Sequence, residues 1–513
     1  MALRFTKPFG WLLFPTVFIL ACALVVSGCS AFESEAKENA PEIIVVWSAF
    51  DYSHDPLQAK DSEQFFLNSL EKRTLFKLDD KGELKNDLAK SIEISKDGKK
   101  ITVLLEKQTF SDGATIAAVD VKATLSRIML VGGEYQKLLE TVKGSSEAKS
   151  GSDFFGISAP NKSTVEIELI TPDPFFAYRL AHPATAILPA SSIGLKGEIT
   201  SNVHSGQYSA EAISNELNAT TVFKPRSENY PIINVVRKSP EDFNVAPKQV
   251  DVDLILGETK KSSSFTTLSV PQLAAASWNI YVKDGQSPFA NIQFRQAVLS
   301  ALDNEESLKA FASRAIEPDG FTADTFDSVD CIKSCKMDTK ESKRLIEKVY
   351  PDGKVPDITI HIENNAVQQE LAKSAIERLK EIGVNATTVA LTPGDLSNEI
   401  ARGNVQLFRF GWVSAIPIGA EPLVESFKAD SSENVSGLTD TELEKEIGQY
   451  LNATTFDGKF KASQGIQNRL QDLWLTRPVA HFHKIMTVSN RLEGFKFDFY
   501  GRTNISDIKL KSS

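Results

Sequence analysis

Cysteine is scarce in this chain, four in 513 residues, so stability has to come from buried apolar cores, which a chain of this length can supply in two or three domains. Positive charge is also in deficit: 57 basic residues against 67 acidic ones leave a net charge of −10. A nucleic-acid partner needs a basic surface, so none is expected. The sequence contains no G-x-S-x-G, no H-E-x-x-H and no G-x-x-x-x-G-K. Scattered Ser, His and Asp occur in any chain this long, and without such a motif an exported hydrolase is the weaker alternative. No repeat, heptad array or low-complexity tract is found either.

What is present begins with a targeting segment. Arg4 and Lys7 precede an apolar run from Trp11 to Val26, and Val26-Ser27-Gly28-Cys29 follows. The run is short for a membrane span, contains Pro15 and ends in small residues, which reads as a secretory signal and not an anchor helix. The V-S-G-C tetrad resembles the bacterial lipobox, whose cysteine becomes the lipidated first residue, so Cys29 is the expected lipidation site and residues 1–28 the signal peptide. Their removal takes away two cations and no acids, moving the net charge from −10 to −12. Residues 31–40, AFESEAKENA, carry too little apolar surface to fold and read as a tether. Cys22 leaves with the signal and Cys29 goes to lipid, leaving Cys331 and Cys335. In an exported chain that C-x-x-x-C pair is expected to close a small disulfide. A metal site there would need two more ligands nearby, and none is visible.

Strand and helix patterns alternate along the rest. Ile92–Ile94 and Ile101–Leu105 flank an Asp97-Gly98 turn, a hairpin signal. Thr164–Ile170 alternates strictly, Val165, Ile167 and Leu169 inward and Glu166 and Glu168 outward. Asp120–Leu130 reads as a helix on that antiparallel sheet. From Asp357 the pattern becomes βαβ: a strand to Ile362, a helix with the stripe Val367, Leu371, Ala375, Leu379 and Ile382, a capping Gly383, and a returning strand from Asn385 to Leu391. A short helix, Asp395–Ala401, precedes the strand Val405–Phe410, which puts F-R-F-G-W at a strand's carboxyl end, where open α/β sheets bind ligands. Thr439 to Glu442 reads as a capping box opening a later helix.

Several of these segments together resemble the extracellular solute-binding proteins of the oligopeptide, dipeptide and nickel group, family 5, which deliver ligands to ABC transporters. Residues 88–127 match that family's signature through Phe110, Asp112, Gly113, Ala118, Asp120, Val121 and Arg127. Pro288-Phe289, Phe294-Arg-Gln-Ala297, Ala301-Leu-Asp303, Leu379-Lys-Glu-Ile-Gly-Val384 and Gly411-Trp412 follow in the family's order. The resemblance implies an α/β, two-lobed periplasmic-binding-protein-like fold of type II, with an extra antiparallel α+β domain in the first lobe. On that layout residues 42–73, 179–275 and 486–513 make lobe I, 74–178 the extra domain and 276–485 lobe II, behind the signal peptide and a lipid-anchored tether at 29–41. It also implies a monomer outside the cytoplasm, in the periplasmic space or on the outer surface, anchored through Cys29. Its partners would be a peptide or peptide-like solute and an ABC permease, with no cofactor and no covalent chemistry. A surface lipoprotein of the same fold, used for sensing or partner binding, is the second reading.

The site residues follow from the same resemblance. Arg409 stands where the oligopeptide branch has a cation that receives ligand carboxylates; the other reading is a structural pair with Glu421 or Glu425. Trp412 is a pocket wall or ordinary core, with Ser414 beside it. Ala415 stands where peptide-binding members carry an Asp for the ligand's α-amino group, so recognition of a free amine is in doubt. Tyr135, Asp61 and Gln64 fall near the family's other ligand-facing segments. His481 and His483 could ligate a metal, but two such residues on one strand read better as a half-buried strand face.

Overall fold

One eleven-stranded sheet runs through the molecule. Its strands are β1 (Glu42–Trp47), β2 (Tyr208–Glu211), β3 (Thr220–Pro225), β4 (Ile232–Arg237), β5 (Leu254–Leu256), β6 (Phe265–Ile280), β7 (Ala315–Ile316), β8 (Ile358–Glu363), β9 (Ala386–Leu391), β10 (Leu407–Val413) and β11 (Thr476–Ser489). Their order is β9-β8-β10-β6-β11-β5-β1-β4-β3-β2, with β7 beside β11. The computed structural model describes residues 42–47, 52–149, 151, 153–211, 216–239, 252–257, 261–282, 287–302, 305–311, 314–323, 326–333, 335–503 and 508–511. The expected signal peptide, tether and lipidated Cys29 lie outside the described residues.

Composition explains where each strand sits. The near-continuous apolar run of β1, Glu-Ile-Ile-Val-Val-Trp, takes a parallel neighbour on each side, β4 and β5, as strands buried on both faces do. A separate four-stranded antiparallel sheet holds the hairpin Ala89–Ile94 and Lys100–Leu105 with Thr164–Glu168 and Ile157–Asn161. There Val165 and Ile167 are fully buried and Glu168 is exposed, the alternation written in the sequence. A helix, Ala118–Val131, covers this sheet; the Asp120 carboxylate accepts from the amides of Ala117 and Ala190, each at 2.8 Å. Arg127 reaches from this helix to Asp55 and to the Gly197 carbonyl.

The βαβ unit is β8, the helix Ala366–Glu381 and β9, with β8 pairing both β9 and β10 in parallel. Leu371, Ala375, Leu379 and Ile382 are buried, and Gly383 closes the helix at φ +83°. The helix expected to open on a Thr439 capping box instead runs Thr441–Asn452 with Asp440 as its cap, accepting from the Leu443 amide at 2.9 Å. The Asp440 carboxylate accepts from that amide, so the start moves by one residue.

Sequence patterning does not announce β6 and β11, of 16 and 14 residues, which pair with each other along most of their length. Pro271 and a register irregularity between Pro271 and Ala275 break the alternation that would have revealed β6. Three hydrophobic clusters result. One gathers Trp278, Phe294, Phe408, Trp412 and Leu470; a second gathers Val103, Leu125, Ile167 and Tyr500; the third gathers Val45, Tyr208, Leu254 and Met486. Gly206 is needed for space: a Cβ there would lie 2.2 Å from the Glu71 carbonyl carbon. Cys331 and Cys335 are joined, their Cα atoms 5.5 Å apart.

Candidate functional site

Strand β10 runs antiparallel to β6, with Arg409 opposite Trp278, Gly411 opposite Ala276 and Val413 opposite Ala274. Alternation puts these six residues on one face. At its deep end Arg409 is only 3% exposed, and its guanidinium lies over the Trp278 ring, 5.0 Å from the centroid. Its Nε donates to Gln368 Oε1 at 3.2 Å. Gln368 sits in the first turn of the 366–381 helix, held there by its own amide on the Asn365 cap at 3.0 Å. Among the described residues Nη1 of Arg409 meets no acceptor. Burial pushes the guanidinium down to about 9, and the distant Glu363 offsets little of that.

The structural pairing considered for Arg409 is not made. Glu421 takes both terminal nitrogens of Arg179, and Glu425 is solvent-exposed. Toward the strand's carboxyl end the same face turns small and open: Gly411 is exposed, Ala274 half-buried, and Val413 is 75% exposed. A Cβ at Gly411 would sit 2.5 Å from the Ala275 carbonyl oxygen, so this floor stays bare. Along this face a strip of small residues, Ala274, Ala276 and Gly411, leads to a buried cation with a donor to spare. Chemically it fits an extended ligand whose anionic end reaches Arg409.

Trp412 and Arg409 are three residues apart and project from opposite faces of β10. Trp412 is 6% exposed, donates Nε1 to the Phe321 carbonyl at 2.9 Å and packs edge-on against Phe427. The Ser414 hydroxyl lies 2.6 and 2.7 Å from the carbonyls of Ile416 and Ile418, holding the turn after the strand.

Ala415 belongs to a second constellation. It packs against the cluster of the four-stranded sheet, and its carbonyl accepts from Tyr500 Oη at 2.8 Å. Tyr500 meets His182 edge-on at 5.0 Å, His182 meets Tyr135 at 5.3 Å, and Phe65 stands against both His182 and Tyr500. Burial, with Arg502 nearby, pushes His182 down to about 3, so this wall is uncharged at neutral pH. Tyr135 gives its hydroxyl to the Ala59 carbonyl, and burial followed by Glu134 and Asp61 raises its pKa. Asp61 caps the helix Ser62–Glu71 through the Gln64 amide at 2.8 Å, and Gln64 Oε1 accepts from Lys60 at 2.7 Å. Asp61 and Gln64 thus brace the entry to Phe65, with their polar groups in use locally.

The structure therefore brings Ala415, Tyr135, Asp61 and Gln64 into one neighbourhood and sets Arg409 at the end of another face. Sequence reasoning did not find Gln368, Trp278, His182 or Tyr500. Only Trp278 carried a signal, as a bulky aromatic in a run of small residues. His481 and His483 do lie on one strand, yet they do not converge: His481 bonds the Gly320 carbonyl and His483 the Ser269 hydroxyl. No group of three metal-ligating side chains exists among the described residues.

Comparison with known proteins gives a consistent result. The sequence profile for bacterial extracellular solute-binding proteins, family 5 (middle), matches residues 83–434. The glutathione-binding protein GsiB of Salmonella choleraesuis strain SC-B67 is 24% identical over 422 residues, covering 77% of this chain and 78% of that protein. The unliganded open form of MppA, a periplasmic murein tripeptide binding protein, superposes with a TM-score of 0.79 at 16% identity, covering 92% of this chain and 98% of the other. HbpA2 from Haemophilus parasuis gives 0.78 at 16%, covering 92% and 100%. These likenesses show the type II binding-protein fold, and with the profile match across most of its length the chain belongs to the bacterial extracellular solute-binding proteins of family 5, a family of binders and not of enzymes.

Proposed function

We propose that this protein captures a peptide or peptide-like solute with a free carboxylate and passes it to an ABC permease, while a lipid on Cys29 keeps it at the membrane. The observation that carries the ligand class is Arg409: a buried cation with one nitrogen unpaired among the described residues, on the same sheet face as the small residues Gly411 and Ala276. A cation left so is costly, and a ligand carboxylate would offset the cost in the bound state only. That difference favours closure around the ligand over the empty form. On the layout argued from the sequence, lobe I with its extra domain would close on lobe II.

Ala415 narrows the class further. The group that meets its carbonyl is the neutral Tyr500, backed by the neutral His182, so an ammonium arriving at that position would lose water and gain no counter-charge from residue 415 or these two rings. Solutes whose amine is blocked, absent or displaced fit best. Glutathione, for which one relative is named, has its amine displaced by a γ-linkage. Calorimetric titration with a tripeptide and its N-acetylated twin tests this. The protein should bind both within about threefold, and Ala415→Asp should favour the free amine by about tenfold, the scale of one charge-assisted bond. A parent protein that already prefers the free amine by more than about tenfold would refute the reading.

Anchoring is tested separately. V-S-G-C after a short apolar run motivates lipid on Cys29, and several acyl chains together would hold firmly. Cys29→Ser should move the protein from the membrane fraction to the soluble one. Retention of the variant on membranes after a high-salt wash would rule the lipid out.

A further inference from the structure

A cavity of about 460 Å³ lies between the segment 69–87, the segment around Tyr208 and Tyr230, and the turn 496–503, and Arg409 is not among its lining residues. That volume falls in the range of small-molecule sites. Six cationic side chains and four carboxylates line it. The carboxylates are all engaged: Asp87 with Arg73 at 2.6 Å, Asp79 with Lys85 at 3.2 Å, Asp80 with Lys496 at 3.1 Å and Asp498 with Arg502 at 2.7 Å. Of the two remaining cations, Lys72 pairs with Glu71 behind the wall.

Lys77 is the surplus. Its ammonium makes no hydrogen bond or ion pair among the described residues, and on the antiparallel pair of short strands Phe76–Leu78 and Leu84–Asn86 it stands directly opposite Lys85. Lys85 is held by Asp79 and by Glu83, so Lys77 is the uncompensated charge of the two, and an anion beside it would supply the missing partner. Two more polar groups in the lining also lack partners. Arg502 is nine-tenths buried, its Nε on Asp498, and its Nη2 meets no acceptor; the neighbouring Thr503 hydroxyl meets none either. Buried donors are rarely left unpaired, and here two occur on consecutive residues that both line the cavity.

We propose that this cavity is a second binding site, for a small oxyanion-bearing solute, with Lys77, Arg502 and Thr503 as its donors. It lies behind the candidate ligand wall, since the Arg502 guanidinium stacks on Tyr500, 5.1 Å from the ring centroid, and Tyr500 holds the Ala415 carbonyl. A phosphate and a carboxylate present the same acceptor chemistry, so the probes are inorganic phosphate and succinate, titrated calorimetrically in parallel into the full-length protein.

Saturable binding of at least one probe is expected, its selectivity naming the oxyanion. Lys77→Ala and Thr503→Val should each weaken it about fivefold or more. Lys77 is only half-buried and unpaired, so its replacement leaves the fold intact. Arg409→Ala should leave this binding unchanged. The proposal is overturned by the absence of saturable heat with both probes up to about 10 mM, by affinities unaltered in both Lys77→Ala and Thr503→Val, or by loss of binding in Arg409→Ala, which would place the anion at Arg409.

Discussion

Arg409→Ala is expected to weaken a ligand with a free carboxylate by about 2 to 5 kcal/mol, the scale of truncating one partner of a buried charge pair, or roughly thirtyfold to several thousandfold in affinity. Replacing the cation by an apolar side chain of similar size should have the opposite sign on the unliganded protein. Nη1 is buried and unpaired, Nε has only the neutral Gln368, and burial alone sets the direction of the pKa shift. Replacing such a cation by an apolar side chain, Arg409→Met, should raise the stability of the empty protein by about 1 kcal/mol or more. Calorimetric titration with glutathione and with a carboxylate-ended tripeptide, alongside thermal unfolding of the ligand-free variants, separates the two terms. Unchanged affinity together with lost stability would make Arg409 a structural residue and move the site elsewhere.

Arg179→Met should cost about 3 to 5 kcal/mol of folding stability, because it leaves two carboxylates buried without their cation. Arg179 donates Nε to Asp173 at 2.6 Å and its terminal nitrogens to Glu421, and its side chain is 12% exposed. Asp173 precedes the helix Phe176–Arg179, whereas Glu421 opens the helix Ala420–Phe427, so the one guanidinium ties distant parts of the chain together. Phe175 stacks edge-on with Phe456 beside it, at 4.7 Å. Lys459 stands near both acids but sits over the Tyr450 ring and is held below the usual lysine range by burial.

The pH dependence of that loss has a definite sign. Burial raises Glu421 above the usual carboxylate value even with Arg179 present, and removing the cation raises it further. A group whose folded pKa lies above its unfolded one contributes stability that is complete below the unfolded value, about 4.3, and is lost as pH rises through the folded value. The deficit of Arg179→Met should therefore be smallest near the acid end of the stable range and grow toward neutrality. Urea unfolding at several pH values, with Arg179→Met/Glu421→Gln as the partner variant, measures it. A deficit below about 1 kcal/mol at neutral pH, typical of an exposed pair, would contradict the buried-cluster account.

Local chemistry made much of this protein legible from the chain alone. The Asp97-Gly98 hairpin, the alternation of Thr164–Glu168 and the stripe of the 366–381 helix with its Gly383 stop are one-dimensional signals. Each depends on residues within a turn or a strand of one another, and each appears at the expected place. Family membership was legible because such segments recur in a fixed order, which needs no contact between them. One local signal was also open to reading and missed: residues three apart on a strand face opposite ways, which sets Arg409 and Trp412 on different sides of β10.

Tertiary structure alone decided what meets what. Gln368 reaches Arg409 across 41 residues, Tyr500 reaches Ala415 across 85, and Arg179 chooses Glu421 across 242. No periodicity encodes such pairings, because they depend on how the 366–381 helix, the 496–503 turn and the 420–427 helix pack on the sheet. The fate of Arg409 shows the consequence. The sequence determined that a permanent cation would lie in an apolar strand and would need an anion; the strand proves to run Leu407–Val413, so Arg409 lies in its first half and not at its carboxyl end, and only the folded chain decided that neither Glu421 nor Glu425 would supply the anion, since packing committed the first to Arg179 and left the second in solvent.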